Sequence, residues 1–211
     1  KKLSQTEQEL HDRIHELERK IKSLELLKKL QQLPVLCNTR LVGGTALALQ
    51  LGHRKSVDLD FFGQINVDSQ DLKKALRTLG TLTILNDSKN IHIYVLNEVK
   101  IDIVNYTYPW LDDVVYKDGI RLASPRDIAA MKITAIEGRG TKKDFVDIYF
   151  LLKKYSLKNL LDFYSQKYPD SSSFMAMKSL AYFEDAEEEP MPYMFVDVSW
   201  DEIKKSILSR L

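Results

Sequence analysis

The sequence predicts an α+β fold: a small mixed or antiparallel sheet flanked by helices, with a helical C-terminal region and a long amphipathic helix at the start. Three observations carry this. Leucines recur every seven residues near the beginning; stretches between residues 39 and 105 show the two-residue period of strands; from Ser124-Pro125 onward the apolar period is helical. The expected organisation is an N-terminal helix over 1–33, a core over 34–123 and a helical region over 124–211. A chain of 211 residues with 44% hydrophobic and 29% charged residues is long enough and apolar enough to bury a real core, and its composition excludes disorder for most of its length.

Residues 3–30 read as one helix, with Leu3, Leu10, Leu17 and Leu24 a heptad apart and Ile14 and Ile21 between them. Two readings stand side by side: a coiled coil that dimerises or docks a partner, and an amphipathic helix packed on its own core. Leu26, Leu27, Leu30 and Leu33 break the register and Pro34 stops the helix, so its C-terminal part is expected on the globular body. A short strand at Arg40-Leu41-Val42 follows, then the turn Gly43-Gly44-Thr45 and a small helix, Ala46 to Leu51, closed by Gly52. Ser56 to Phe62 alternates, with Val57, Leu59 and Phe61 facing one way and Asp58, Asp60 and Phe62 the other. Asp68 caps a helix through Leu79, and strands at Thr81–Leu85, Ile91–Leu96 and Val99–Asn105 form an antiparallel meander. A loop surrounds Pro109-Trp110. Ser124 as N-cap and Pro125 at the first helical position open helices near 125–137, 142–155, 157–167 and 174–184, then an acidic linker from Glu184 to Pro190 and a last helix near 200–211.

Thirty-one Lys and Arg against 30 Asp and Glu leave a net charge of +1, so no global field selects nucleic acid or a membrane as partner. No stretch approaches the ~18 uninterrupted apolar residues of a membrane helix, and Lys1-Lys2-Leu3-Ser4-Gln5 lacks the apolar region of a secretion signal. A soluble, cytoplasmic protein is expected; the chain starts at Lys1 and not at Met, which leaves open a longer chain upstream. The single cysteine, Cys37, excludes an internal disulfide and reads as a small buried hydrophobe. Neither a Ser-His-Asp order, a metal-binding His pair nor a Gly-Lys-Ser/Thr loop is present, which removes the serine hydrolase, zinc and P-loop classes.

The chemistry concentrates between Leu41 and Phe62. Gly43 and Gly44 let backbone approach a ligand, and their N–H groups lead into a helix N-terminus suited to phosphate oxygens. Asp58 and Asp60 stand about 7 Å apart on one strand face, so both carboxylates can converge on one or two Mg²⁺ ions. Phosphate cradle plus metal clamp is the signature of nucleotidyl transfer. Asp102, on the strand face of Lys100 and Val104, would be a third metal ligand; as an alternative it lies on a solvated face. Later, Asp144 and Asp147 share a helix face, and Lys132, Arg139 and Lys143 suit a triphosphate or an RNA backbone. Lys132 is distinguished by its neighbours Ile128, Ala129, Met131, Ile133 and Ile136, among which a lone ammonium needs a reason. Of the histidines only His53, beside Arg54, can touch a ligand.

At Gly43-Gly44-Thr45, at His53-Arg54-x-Ser56-x-Asp58-Leu59-Asp60-Phe61-Phe62 and at Lys132, Arg139 and Lys143-Asp144-x-x-Asp147-Ile148-Tyr149, the sequence resembles the AbiEii/AbiGii toxin family of the nucleotidyltransferase superfamily, over roughly residues 38 to 150. The resemblance implies a polymerase-beta-like core, Mg²⁺-dependent transfer of a nucleotide from an NTP, and a toxin–antitoxin or phage-defence role with RNA, notably tRNA, as acceptor. It assigns Gly43, Gly44 and Thr45 to the phosphate-binding turn, with Arg54, Ser56, Arg139 and Lys143 as further nucleotide-binding residues. Asp58, Asp60 and Asp102 would hold two Mg²⁺, and Asp58, Asp60, Lys132 and Asp147 would be catalytic, Asp144 or Asp147 orienting a cation or acting as base. Possible partners are the NTP, the RNA acceptor, a cognate antitoxin and a second copy docked through the N-terminal helix. Two other readings share this core: a silent nucleotidyltransferase-like binding module acting through that helix, and an enzyme acting on a small molecule such as an antibiotic.

Overall fold

The structure, a computed structural model, describes the backbone of residues 5–211 and their side chains except those of residues 5–7, 16 and 19. Leu3, the first leucine of the heptad series, lies outside the described residues. Helix α1 (Gln5–Gln32) is followed by β1 (Thr39–Val42), α2 (Gly43–Leu51), β2 (Leu59–Gly63) and α3 (Ser69–Arg77). Then come β3 (Leu82–Asp87), β4 (Ile91–Leu96), β5 (Val99–Asn105), β6 (Val115–Lys117) and β7 (Ile120–Leu122). The rest is helical: α4 (Pro125–Gly138), α5 (Lys142–Leu152), α6 (Leu157–Lys167), α7 (Ser173–Leu180), α8 (Glu184–Glu187) and α9 (Trp200–Leu208).

The seven strands form one mixed sheet in the order β3-β4-β5-β2-β1-β7-β6, with β2–β5 and β1–β7 parallel and the other pairs antiparallel. Its register positions the site. Val42 of β1 opposes Asp60 of β2, and Asp60 opposes Asp102 of β5, so one row crosses three central strands and ends where α2 begins. Because side chains alternate along a strand, Leu59, Phe61, Ile101 and Ile103 go into the core while Asp60 and Asp102 share the other face. A single apolar cluster runs from Leu26 through the sheet to Ile207, and α4 packs on α2, α5, α6 and α7. No helix among the described residues is long and apolar enough to cross a membrane.

Local chemistry sets the helix starts. Asp68 accepts from the amides of Gln70 and Asp71 at 2.8 and 2.9 Å, and the Ser124 hydroxyl accepts from Asp127 N–H at 3.0 Å with Pro125 at N1. The two ends of α1 behave differently. Leu26, Leu27 and Leu30 are buried, and Gln31 exchanges bonds with the Arg121 backbone at 2.9 and 2.6 Å, whereas Leu10, Ile14, Leu17, Ile21 and Leu24 are exposed.

Several expectations are corrected. The glycine turn is already the first turn of α2, which starts at Gly43 and not at Ala46. Strand β2 starts at Leu59, and Val57 is exposed and does not join the core face. The helix expected over 174–184 ends at Leu180, and the start of the acidic linker closes into the short α8. Cys37 is exposed, because Leu36 takes the buried place at the end of the turn after α1. The β6–β7 hairpin was not anticipated; its turn is Asp118-Gly119, with φ of 51° and 78°, the backbone a two-residue hairpin turn with both central residues left-handed requires.

Asp127 is the polar hub of the helical half. It is fully buried, accepts from Leu111 N–H at 2.9 Å and from the Ser124 hydroxyl at 2.9 Å, and lies 2.7 Å from the equally buried Lys167 ammonium. Asp127→Ala would strand that ammonium in the core and is expected to cost about 3–5 kcal/mol in chemical denaturation. Asp162→Ala, which breaks the exposed 2.8 Å pair with Lys158, is expected to leave the midpoint unchanged.

Candidate active site

A cavity of about 640 Å³ opens where the carboxylate row of the sheet meets α2 and α4. Gly43, Asp60, Asp102, Lys132 and Arg139 line its polar end. At Gly43 the backbone has φ of +68°, and a Cβ there would collide with Asp60 Oδ2. At Gly44 a Cβ would collide with the Arg54 guanidinium. Both glycines are therefore demanded by close approach. Val42 offers no side-chain cap, which leaves the first-turn amides of α2 available to phosphate oxygens. Thr45 steadies the turn, its hydroxyl donating to Asp58 O at 2.5 Å and lying 3.0 Å from Ser56 Oγ.

Burial, reinforced by Asp102, pushes the Asp60 carboxyl up to about 6 in spite of Lys132 nearby. The Lys100 ammonium sits 2.9 Å from Asp102 Oδ2, to which it donates, and 2.8 Å from Oδ1, which is buried and accepts no hydrogen bond. The raised Asp60 carboxyl is an oxygen donor short of positive charge, and with the neighbouring Asp102, whose Oδ1 accepts no hydrogen bond, it supplies the oxygens that a hard divalent cation takes. No group of three or more His, Cys, Asp or Glu is assembled for a metal among the described residues, so the donor set already in place is this pair. Asp58 precedes β2 and lines an adjoining cavity of about 260 Å³ with Lys20, Lys55 and Lys100, not the main one.

Beneath the cavity floor lies a buried ionic lattice. Lys132 from α4 is 2.8 Å from Asp144 and 2.7 Å from Asp147, both fully buried and one helical turn apart on α5. Asp147 also takes a two-point contact from Arg54, Nε at 2.7 Å and Nη2 at 2.8 Å, and a bond from His53 Nε2 at 2.7 Å. Asp144 accepts from Arg139 at 3.0 and 3.2 Å and from Thr141 Oγ1 at 2.6 Å. Burial alone would raise both carboxyls; Lys132, with Arg54 and His53 on Asp147 and Arg139 on Asp144, holds them well below the usual carboxylate range. Burial likewise works against the Lys132 ammonium, and the two aspartates outweigh it, so its pKa is raised. The segment carrying His53 and Arg54 is covered by the C-terminal tail, with Lys55 N–H donating to Tyr193 O at 2.8 Å and Phe195 N–H to His53 O at 3.0 Å.

The structure thus brings together Gly43, Asp60, Asp102, Lys132 and Arg139. It places Arg54 under the glycine turn, committed to Asp147 and turned away from the cavity, and Asp147 below Lys132 without access to it. Asp144 and Asp147, ionised and saturated by cations, are unsuited to act as bases and orient Lys132 and Arg139. Lys143 is exposed on α5 and is not part of the cavity wall; the buried neighbour is Lys142, whose ammonium reaches Glu187 O and Glu189 O. Sequence reasoning missed the aromatic wall of the same cavity. Tyr106 and Tyr108 stand 5.4 Å apart between ring centres, Tyr108 and Tyr168 4.9 Å, and the Tyr106 and Tyr168 hydroxyls bond at 2.7 Å. The Tyr106-x-Tyr108 alternation past β5 and the i, i+4 pair Tyr164/Tyr168 were the available signals.

The family description "nucleotidyl transferase AbiEii toxin, type IV TA system" matches residues 25–210. The chain belongs to the AbiEii nucleotidyltransferase toxin family. It is a nucleotidyltransferase, and the silent-module reading falls with that. An uncharacterized protein of Aquifex aeolicus (strain VF5) is 37% identical over 187 residues, covering 86% of this chain and 90% of its own. The fold is similar to that of JHP933 from Helicobacter pylori, with TM-score 0.52, 22% identity and 91% and 87% of the two chains covered. It is also similar to MenT4, a nucleotidyltransferase toxin of Mycobacterium tuberculosis H37Rv, with TM-score 0.54, 14% identity and 92% and 84% covered.

The raised Asp60 carboxyl has a consequence for stability. The folded state holds this proton more tightly than the unfolded chain, so ionisation of Asp60 destabilises the fold above pH 6 and the penalty is relieved as pH falls from there toward 4. Asp60→Asn is expected to raise the melting temperature of the metal-free protein at pH 7.5 by roughly 3–8 °C, with the gain shrinking at pH 5. Added Mg²⁺ should raise the wild-type melting temperature and leave that of the variant unchanged.

Proposed function

We propose that the enzyme transfers a nucleoside monophosphate from an NTP to an acceptor hydroxyl of RNA, tRNA included, as the toxin of a toxin–antitoxin or phage-defence pair acting in the cytoplasm, where NTPs are found. The observation that carries the reading is the meeting, in one cavity, of the Asp60/Asp102 pair, the uncapped glycine start of α2 and the lattice-held Lys132. Family membership supports the toxin role, and a cognate antitoxin is the expected partner.

The cation would be Mg²⁺, one or two ions, held by Asp60 and Asp102 with Asp58 beside them; when bound it neutralises phosphate charge and acidifies the acceptor hydroxyl. The α2 amides of Gly43 to Thr45 receive phosphate oxygens, and Lys132 and Arg139 offset the charge that builds on the leaving pyrophosphate. The acceptor oxygen bonds to the α-phosphorus as the bond to the bridging oxygen of the β-phosphate breaks. The proton of the acceptor hydroxyl leaves to water. Asp144 and Asp147 keep Lys132 aimed, and Arg54 and His53 act at one remove by holding Asp147. Tyr106, Tyr108 and Tyr168 offer the nucleobase a stacking surface.

Purified protein with Mg²⁺, each labelled NTP in turn and total cellular RNA is expected to label an RNA band. Asp58→Asn/Asp60→Asn should abolish the label with the fold intact, and Lys132→Met should lower kcat by at least about 100-fold. Label that persists in the aspartate variant would overturn the assignment of the site; label confined to small molecules would overturn the RNA acceptor.

A further inference from the structure

The family match starts at residue 25, and α1 carries, ahead of that point, an apolar stripe that the catalytic core does not use. Leu10, Ile14, Leu17, Ile21 and Leu24 are 40–60% exposed. At about 100° of turn per residue they lie on the side of α1 roughly opposite Leu26 and Leu30, which bury against the body. The body therefore leaves the stripe open along some four turns of helix.

The stripe names its occupant. In heptad notation the isoleucines, 14 and 21, fall at a and the leucines, 10, 17 and 24, at d, with no polar residue interrupting them. Isoleucine at a with leucine at d is the combination that favours two parallel strands over three or four. The flanking charges agree. Arg13 occupies a g position and Glu18 the e position five residues on, the two places that face each other across a parallel, in-register dimer; Lys20 and Glu25 repeat the relation one heptad later. Arg13, Glu18 and Glu25 are exposed, while Lys20 lies over the Phe195 ring of its own chain, 5.4 Å from its centre, so the Arg13–Glu18 pair carries the charge argument. An antiparallel pairing would set g against g and e against e, Arg and Lys facing each other and Glu facing Glu.

We propose that α1 is a dimerisation helix, pairing with α1 of a second copy as a parallel, in-register coiled coil through Leu10, Ile14, Leu17, Ile21 and Leu24, with Arg13 of each chain facing Glu18 of the other. This stands independently of the acceptor and the toxin role.

Light scattering on the full chain across a concentration series tests it. A two-chain mass is expected for the wild type and a one-chain mass for Leu17→Glu/Ile21→Glu, with the melting temperature of the globular part unchanged. Arg13→Glu should weaken self-association about tenfold, and adding Glu18→Arg to it should restore the wild-type mass. In a Cys37→Ser background, Leu17→Cys should oxidise to a covalent dimer, because d positions of a parallel pair meet their own copies. A wild-type chain of one-chain mass throughout, as it would be if the stripe served an antitoxin instead, overturns the proposal. So does a dimer that survives Leu17→Glu/Ile21→Glu, a charge reversal that Glu18→Arg does not rescue, or a Leu17→Cys variant that fails to cross-link.

Discussion

The rest of the structure depends on one ammonium held in the core. Lys132 sits among apolar residues of α4, where an isolated charge costs several kcal/mol, and only its two contacts of 2.7 and 2.8 Å with Asp147 and Asp144 make the position tenable. Those carboxylates are buried in turn and need cations of their own. Arg54 and His53 meet Asp147, and Arg139 meets Asp144. Each demand recruits another element: α5 is tied to α4, the 53–55 segment to α5, and the C-terminal tail to 53–55 through Tyr193 and Phe195. The Arg54 guanidinium then presses against the start of α2, so that Gly44 admits no side chain.

On this foundation the cavity is split by charge. The sheet presents carboxylates at Asp60 and Asp102, and the helices present cations at Lys132 and Arg139. In the proposed reaction the substrate phosphates lie between, with positive charge needed on the sheet side and supplied in advance on the helix side. Ionising Asp60 in this setting works against the fold, which is the expected signature of a group placed for chemistry at the expense of stability. Lys100, paired with Asp102, relieves part of the deficit until ligand arrives.

Much of this was legible in the residues. Helix α4 with its Ser124 cap, β4 and β5 with their bounds, and the glycine turn facing the aspartate strand all follow from patterns a few residues long. Lys132 stood out because its neighbours are apolar, and Asp144 and Asp147 because three residues on a helix return to one face. The β6–β7 hairpin escaped because three-residue strands carry too little periodicity, although Asp118-Gly119 is a hairpin turn signal. The aromatic wall escaped because Tyr106 and Tyr108 follow β5 while Tyr164 and Tyr168 lie on α6 and just past it, nearly 60 residues away, and proximity at that separation is not a property of local sequence.

By itself the sequence determined which residues are chemically equipped: glycines where backbone must come close, paired carboxylates, a lysine in an apolar helix face, and a heptad helix whose stripe ends where the body begins. These are local properties, set by side-chain chemistry and by the periods of helix and strand. The tertiary structure decided their roles, because roles depend on which strands pair and in what register. The row Val42–Asp60–Asp102 sets Asp60 beside Asp102, while Asp58, two residues earlier, lines the neighbouring cavity. Arg54 was equipped to meet phosphate and instead holds Asp147, since that buried carboxylate on α5, 93 residues along the chain, had the stronger claim on its charge.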